Sequence, residues 1–267
     1  MRVVFLVLAS NTTVNENDLV MQQKTWARND SENSTILWVR GKDISDYSLD
    51  FRQLYVPLSE SYENILEKTL LGIRWILSEY DPDFIVRTNV STYFSLKDCE
   101  EFLKEMHIKE IDLLGYPEVT GIRYSFVKKS FQFLSGAGII LSKRAANLLL
   151  NLESKLYEGV PDDVAISHFF EAAELRKRLI SRSNLGYTRV FIPHWYIRLK
   201  SSEKSSLTQS RFSLVDEYYK KKSLSAFWRI QWQEFVNIQV HDVVRIARMN
   251  FLAIKRLILI RMESLSK

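Results

Sequence analysis

The hydrophobic pattern of the first 200 residues alternates between short apolar runs and longer amphipathic segments. Continuous apolar runs at 2–9 and 36–39 are typical of parallel strands that are covered on both faces. Between 62 and 80 the apolar residues recur at helical spacing and Pro82 follows, which predicts the most regular helix of the chain. Further strands and helices, with Ser142 capping the last of them, are predicted at 19–27, 84–86, 96–106, 111–114, 134–141 and 142–152. This alternation predicts an α/β fold with a mostly parallel sheet flanked by helices.

Composition divides the chain near residue 200. The whole sequence has 267 residues, with 37 Lys+Arg, 32 Asp+Glu and a net charge of +5. Residues 201–267 hold twelve of the basic and six of the acidic side chains, so the positive surplus lies entirely in this last quarter. Its first ten residues are polar and serine-rich, without apolar periodicity. We therefore expect a main domain at 1–200, a linker at 201–210 and a basic amphipathic helical extension at 211–267.

Several classes of protein are excluded by what the sequence contains. The single cysteine, Cys99, cannot form a disulfide within the chain, so nothing requires an oxidising compartment. The first apolar run is far shorter than the ~20 residues that span a bilayer, and no signal-peptide cleavage site follows it, which predicts a cytoplasmic protein. The patterns HExxH, CxxC, GxSxG and GxxxxGK[ST] are absent, which excludes the corresponding zinc-site, lipase and P-loop classes.

Two groups of residues lie next to predicted strands. One is a polar cluster directly after the strand at 84–86, and the other is a pair of glycines at the start of the strand at 134–141. Open α/β sheets bind ligands beyond the carboxyl ends of their strands, and a polar cluster follows the strand at 84–86. Ligand contact and an ordinary strand-to-helix loop explain this cluster equally well. Gly136 and Gly138 permit a close approach of the backbone to a ligand, although a tight turn has the same composition. The cluster consists of Arg87, Thr88, Asn89 and Ser91.

Two adjacent carboxylates are the best candidates for chemistry. Asp162 and Asp163 follow Pro161 at a predicted helix start, where Asp162 is the natural N-cap. The simpler explanation of this pair is structural: one carboxylate caps the helix, and its neighbour interacts favourably with the helix dipole. The functional alternative is that one carboxylate caps the helix while the other serves as a general base. His194 follows a proline between bulky residues, where a lone histidine is more often structural than a ligand.

Four blocks in order along the chain resemble the β-1,3-galactosyltransferase and Fringe group, glycosyltransferase family 31. QQKTW at 22–26, followed by ILWVRG at 36–41, resembles that family's "IRxTW … lFvlG" opening. SYENILEKTLLGIRW at 61–75 resembles its "DSYxNLTLKTLxGLxW" helix, which is the most specific match. SGAGIILS at 135–142 is similar to "SGxGYvlS", and PDDV at 161–164 is similar to its "EDV" or "PDD" block.

The resemblance implies a GT-A fold and inverting transfer of a sugar from a nucleotide-sugar donor, typically a UDP-sugar, to an acceptor hydroxyl. The family's catalytic aspartate corresponds to Asp163, with Asp162 as the fallback. A placed carboxylate suits this reaction because the acceptor hydroxyl must lose a proton as it attacks. A histidine late in the family's domain binds the metal ion, and His194 is a weak match to it.

One family motif is lost. The family's "KTDDDvf" motif holds Mn²⁺, but the stretch that corresponds to it, at 87–94, reads RTNVSTYF and has no acidic residue. Hard divalent cations prefer carboxylate ligands, so we predict that no metal is required. The charge of the leaving diphosphate would then be met by protein cations. The candidate cations are Arg87, Arg123, Lys128, Lys129, Arg198 and Lys200.

The basic extension has two interpretations of equal weight. Its large apolar and basic residues fit helices that lie on an anionic membrane, which would suit a lipid-linked acceptor. Alternatively, the helices pack back on the α/β domain.

Nucleic acid is not an expected partner, because large aliphatic residues interrupt the basic ones. The sequence therefore predicts a glycosyltransferase acting on a glycan or lipid-linked acceptor, with a non-catalytic nucleotide-sugar-binding or scaffold relative as the alternative.

Overall fold

The computed structural model describes the chain apart from residues 29–30, 120–131, 154–155, 157–159, 172, 174, 186–193, 200–204 and 237–267. The strands are β1 (Val3–Leu8), β2 (Ser34–Lys42), β3 (Ser48–Asp50), β4 (Gln53–Pro57), β5 (Phe84–Asn89), β6 (Thr92–Phe94), β7 (Leu113–Val119), β8 (Gln132–Ser142), β9 (Lys177–Leu179), β10 (Ser183–Leu185) and β11 (Tyr196–Leu199). The helices are α1 (Thr13–Lys24), α2 (Ile65–Glu79), α3 (Leu96–Ile108), α4 (Lys143–Asn151), α5 (Asp162–Glu171), α6 (Ser205–Lys221) and α7 (Leu224–Val236).

The principal sheet has eight strands in the order β3-β4-β2-β1-β5-β8-β7-β9. Strands β4, β2, β1 and β5 run parallel to one another, whereas β3 is antiparallel to β4, and β8 is antiparallel to both β5 and β7. A smaller sheet, in the order β10-β11-β6, begins just beyond the carboxyl end of β5. This topology gathers the carboxyl ends of β1 and β5 and the first half of β8 at one edge of the large sheet.

The core lies on both faces of the large sheet, because the central strands are buried on each side. On one face Phe5 and Trp38 pack with α1, α3 and the smaller sheet. On the other face Leu6 and Ile85 pack with α2, α4 and α5. The side chains of β1 alternate between these two layers, as a strand covered on both faces requires. The expected α/β fold with a mostly parallel sheet is confirmed.

Several predicted boundaries were wrong. The helix expected at 19–27 runs from Thr13 to Lys24, because the hydroxyl of Thr12 accepts the Asn15 N–H and caps it early. The predicted Ser142 cap is confirmed, since its hydroxyl accepts from the Ala145 N–H at 3.1 Å. The strands missed by the hydrophobic pattern were β3, β4, β6, β9, β10 and β11.

The basic extension packs on the main domain over the residues described. Helix α6 starts at Ser205, inside the range expected to be a linker. Phe212 and Val215 of α6 and Ile230 of α7 are buried in the same core cluster as Trp26 of the main domain. The rest of the expected extension, 237–267, lies outside the described residues. Among the helices described, none is long and apolar enough to cross a bilayer.

Candidate active site

A cavity of about 600 Å³ opens at the carboxyl ends of β1 and β5, between the start of α1 and the start of α2. Its polar wall includes Lys68, whose ammonium group donates to the Ala9 carbonyl at 2.9 Å and to Glu60 at 2.5 Å. Arg87 and Asn89 line the side formed by β5. The volume is within the usual range for small-molecule sites, and its position is the one at which open α/β sheets bind ligands.

Asp162 forms a buried ion pair with Arg87 and also accepts a hydrogen bond from Thr69. The Arg87 Nε and Nη2 atoms donate to the two carboxylate oxygens of Asp162 at 2.7 and 2.6 Å. The hydroxyl of Thr69, on α2, lies 2.7 Å from Oδ2. Asp162 and Arg87 are only 1% and 3% exposed. The expectation that Asp162 is the N-cap was wrong, because its side chain points towards Arg87 and Thr69 instead.

Asp163 has a different environment from its neighbour. Its Oδ2 accepts from the Gly136 N–H of β8 at 3.0 Å, and its Oδ1 accepts from the Val164 N–H at 2.9 Å. Burial and the negative charge of Asp162 raise the pKa of Asp163, although Arg87 and the backbone donors oppose the shift. The side chain is half-buried. This carboxylate is therefore oriented by the backbone and is a better base than an ordinary aspartate.

The two glycines of β8 have separate roles. A Cβ atom at Gly136 would lie 2.5 Å from the Arg87 Nη1 atom and 2.9 Å from the Asp163 Oδ2 atom, so only glycine fits beside both groups. A Cβ atom at Gly138 would lie 2.6 Å from the ring of Tyr196. The absence of a side chain at Gly138 thus lets β8 pack closely against the smaller sheet. At Gly136 the same absence leaves room for the two charged groups.

The predicted ligand-contact cluster was expected after a strand at 84–86, but Arg87, Thr88 and Asn89 lie within β5, and the polar groups of the cluster are largely occupied by contacts within the protein. Thr88 is fully buried and donates to the Ala137 carbonyl, which is a structural contact. The Oδ1 atom of Asn89 accepts from the hydroxyls of Ser91 and Thr92 at 2.9 and 3.0 Å. Asn89 nevertheless remains on the cavity wall. Of this cluster, Arg87 and Asn89 line the cavity.

Arg198 takes part in a second polar cluster, with Arg182, Glu118 and Ser135. Its Nη1 atom lies 3.0 Å from Glu118 Oε1 and 3.4 Å from the Ser135 hydroxyl. Arg182 donates to the same two side chains. Arg182, Glu118 and Lys68 could not be predicted from spacing, because each is defined by contacts between segments that are distant in the chain. The one available signal in the sequence was the Lys68-Thr69 pair within the matched α2 block.

The other predicted site residues lie elsewhere or outside the described residues. His194 is half-buried, and its Nδ1 atom accepts from the Tyr196 N–H at 3.3 Å. Burial lowers the pKa of His194. Within the part of the chain that the structure describes, no three His, Cys, Asp or Glu side chains converge in a way that could hold a metal ion. The predicted cations outside the described residues are Arg123, Lys128, Lys129 and Lys200.

Comparison with solved structures identifies the fold. A glycosyltransferase involved in the glycosylation of the major capsid of PBCV-1 matches over 80% of this chain and 100% of its own, with a TM-score of 0.52 and 7% identity. This chain shares that protein's fold, and the expected GT-A-type architecture is confirmed. TarS of S. aureus matches over 89% of this chain and 71% of its own, with a TM-score of 0.44 and 15% identity.

Comparison of sequences adds no family assignment. No family model matches the chain, and no curated protein matches it. The resemblance to glycosyltransferase family 31 therefore remains a prediction that rests on its four sequence blocks.

Proposed function

We propose that this protein transfers a sugar from a nucleotide-sugar, a UDP-sugar in the first instance, to a hydroxyl of a glycan or lipid-linked oligosaccharide, with inversion at the anomeric carbon. The observation that carries the proposal is the Asp163 carboxylate, which the Gly136 N–H of β8 orients in a GT-A-type fold that also has a cavity at the carboxyl ends of β1 and β5. Arg87 links the two, because it lines the cavity and also contacts Asp162 and the Gly136 carbonyl.

The nucleotide part of the donor would occupy the cavity at the ends of β1 and β5, and the acceptor would approach Asp163. The acceptor oxygen attacks the anomeric carbon, its proton passes to the Asp163 carboxylate, and the bond to the diphosphate breaks. One displacement from the face opposite the leaving group inverts the configuration. Asp163 suits this step because its raised pKa favours proton transfer while two backbone N–H groups hold its orientation. Asp162 holds the arginine beside it and is a positioning residue.

The Mn²⁺ ion implied by the family resemblance does not fit the residues present. Val90, at the middle of the segment that corresponds to the metal motif, is buried and has no ligand atom. Asn89 offers a neutral oxygen that already accepts two hydrogen bonds. Carboxylates are the preferred ligands of such ions. We therefore propose transfer that does not require a metal; activity abolished by EDTA and restored by Mn²⁺ would contradict this.

The test begins with nucleoside diphosphates and their sugar derivatives, uridine compounds first, each added in EDTA and in Mn²⁺ while thermal unfolding is followed. A ligand at ~100 Kd stabilises the folded state by ~2.7 kcal/mol. Transfer from the donor that binds is then measured with a panel of glycan acceptors. We expect Asp163→Asn to lower kcat by ~10²–10⁴ while donor binding persists, because the base is lost but the cavity is not.

Asp81→Asn, at an exposed ion pair with Lys143, is the matched control and should retain full activity. An Asp163→Asn variant as fast as the parent would contradict the assigned base. Donor binding without transfer or hydrolysis would favour the non-catalytic relative, to which the loss of the acidic motif points. If no donor binds under either condition, the proposed function is wrong.

We also propose that helix α7 contacts an anionic membrane surface on the cytoplasmic side. Leu224, Trp228 and Trp232 follow one another at helical spacing on one face and are 74%, 66% and 67% exposed. Replacing both tryptophans by serine should reduce sedimentation with phosphatidylserine vesicles about tenfold, since their apolar area no longer enters the interface. Phe51→Ser, at a side chain that is 82% exposed elsewhere, should have no effect. Equal binding by all three proteins would contradict the proposal.

A further inference from the structure

The loop between β1 and α1 forms one wall of the cavity. Residues 9–12 make up this loop, and all four line the cavity. The Oδ1 atom of Asn11 accepts from the Nη1 atom of Arg40, on β2, at 2.9 Å. Asn11 therefore lies on the β2 side of β1, whereas Arg87 and Asn89 line the cavity from β5, on the other side of β1.

Arg40 is a buried arginine that contacts this loop and the start of α1. The residue is 9% exposed, and its Nη1 atom also donates to Glu16 at 2.6 Å. Burying a charged group is costly unless the group is paired and hydrogen-bonded, so these two contacts matter to the fold. The resembled family's pattern "lFvlG" has an aliphatic residue where this chain has Arg40. The contact between Arg40 and Asn11 is therefore a feature of this chain that the resemblance does not imply.

Arg40 determines which way the Asn11 amide faces. A guanidinium has hydrogen-bond donors only, so the amide must turn its oxygen towards Arg40. The NH2 group, with its two N–H donors, is then the part of the side chain that remains for a ligand. Asn11 is exposed and lines the cavity, so the loop offers these donors to a molecule bound there.

Asn15 adds an acceptor to the same wall. Its Nδ2 atom donates to the Thr12 hydroxyl at 3.0 Å, which leaves Oδ1 as the acceptor that Asn15 can offer to the cavity. A donor and an acceptor together match the edge of uracil, where O4 accepts and N3–H donates. Cytosine has the opposite pattern, because it carries an amine in place of O4 and its N3 has no hydrogen. The wall is therefore complementary to uracil.

The order of the strands favours a base at this end of the cavity. From β2 through β1 and β5 to β8 there are three strand spacings, about 14 Å. Asp163 lies at the β8 end, where its Oδ2 atom and the Arg87 Nη1 atom are 2.9 and 2.5 Å from the position that a Cβ atom of Gly136 would take. A nucleotide-sugar carries its base and its anomeric carbon at opposite ends. A donor whose anomeric carbon lies near Asp163 would thus have its base near Asn11.

We propose that Asn11, oriented by Arg40, recognises the base of the donor by donating from its NH2 group to O4 of uracil. The inference rests on the proposed function and names the residue that selects a uridine donor over a cytidine donor. A site built to hydrogen-bond one pattern discriminates because the wrong base leaves polar groups unpaired. Arg40 acts through Asn11 and is a positioning residue.

The test measures the binding of UDP and CDP by calorimetry, because the ratio of their affinities cancels any change in the ribose and phosphate contacts. The parent should bind UDP at least tenfold more tightly than CDP. Asn11→Asp should shift this ratio at least tenfold towards CDP, since the carboxylate keeps its contact with Arg40 but presents an acceptor to the cytosine amine.

Two further variants separate orientation from general damage. Arg40→Leu, which introduces the aliphatic residue of the family pattern, should lower the ratio to about threefold or less, because the Asn11 amide is no longer held. Asn147→Ala removes an exposed asparagine of α4, whose amide donates to the Lys143 carbonyl, and should keep the ratio of the parent.

Each result separates this inference from the proposed function. Equal affinities of the parent for UDP and CDP, or tighter binding of CDP or GDP than of UDP, would overturn the inference alone, and this measurement does not depend on whether a variant folds. A ratio that Asn11→Asp leaves unchanged would also overturn it, and an unchanged ratio in Arg40→Leu would overturn the role of Arg40. If the parent binds none of the three nucleoside diphosphates in EDTA or in Mn²⁺, the proposed function fails and the inference with it.

Discussion

Asp162 and Asp163 are adjacent in the sequence, yet their carboxylates lie in two contrasting regions of the molecule. The first is enclosed with Arg87 and Thr69, and both of its oxygens accept from buried side chains. The second is half-buried and accepts from backbone N–H groups alone among the contacts described. A helix start thus separates a carboxylate that stabilises the fold from one that remains available for chemistry.

The difference explains how the fold can orient Asp163 without giving it an ion pair of its own. A direct ion pair with Arg87 would hold Asp163 in its ionised form and lower its pKa, which would weaken it as a base. In the structure the arginine is bound to Asp162 through two hydrogen bonds, and its influence on Asp163 is smaller than that of burial and of the Asp162 charge. The ion pair therefore places a positive charge near the site while the pKa of Asp163 still rises.

The largest effect on the free energy of unfolding is expected from Asp162→Asn, which tests the structural side of this comparison. The substitution leaves the Arg87 charge buried without its counter-ion, and breaking a buried pair in this way costs about 3–5 kcal/mol. We expect a loss of this size in the free energy of unfolding, measured by urea denaturation followed by circular dichroism.

Asp81→Asn serves as the control for that loss, because its ion pair with Lys143 is exposed and should contribute little. A loss below about 1 kcal/mol for Asp162→Asn would show that the buried pair is not the stabilising element that its geometry indicates. The structural role that the comparison gives to Asp162 would then be contradicted.

Much of the fold could be predicted from hydrophobic period, because β1, β2 and α2 have long regular patterns. The strands β3, β6, β9 and β10 have only three residues each, which is too short for any period to appear. Their positions depend on tertiary pairing, such as that of β6 with β11. Local pattern predicts elements that are long enough to repeat, and topology determines the rest.

The candidate site shows the same limit at the level of single residues. Asp162 has the sequence position of an N-cap, but a partner 75 residues away on β5 determines its side-chain position instead. The contact between Arg182 and Ser135 joins residues 47 apart, so no spacing in the sequence indicates it. By contrast, Asp163 was singled out from the adjacent carboxylates and from the family resemblance, and its role stays a prediction.

The smaller effect concerns the stability of Asp163→Asn, and its sign should be opposite. A carboxyl group whose pKa is raised on folding binds its proton more tightly in the folded state than in the unfolded state. The free energy of unfolding therefore falls as the pH rises from the unfolded value of 3.8 through the raised value, and ionised Asp163 destabilises the fold above that window.

Asp163→Asn removes this charge, so at pH 7 the variant should be at least as stable as the parent, although we expect a much lower kcat. Urea denaturation of both proteins between pH 3 and pH 8 checks the sign: the advantage of the variant should shrink as the pH falls through the raised value and then below 3.8, where the parent carboxyl becomes protonated in both states. A variant that is less stable than the parent at pH 7 would place Asp163 with Asp162 as a structural carboxylate. The two Asp→Asn substitutions should therefore change the free energy of unfolding with opposite signs if Asp162 stabilises the fold and Asp163 serves catalysis. A group retained for stability would not be expected to destabilise the fold in its ionised form.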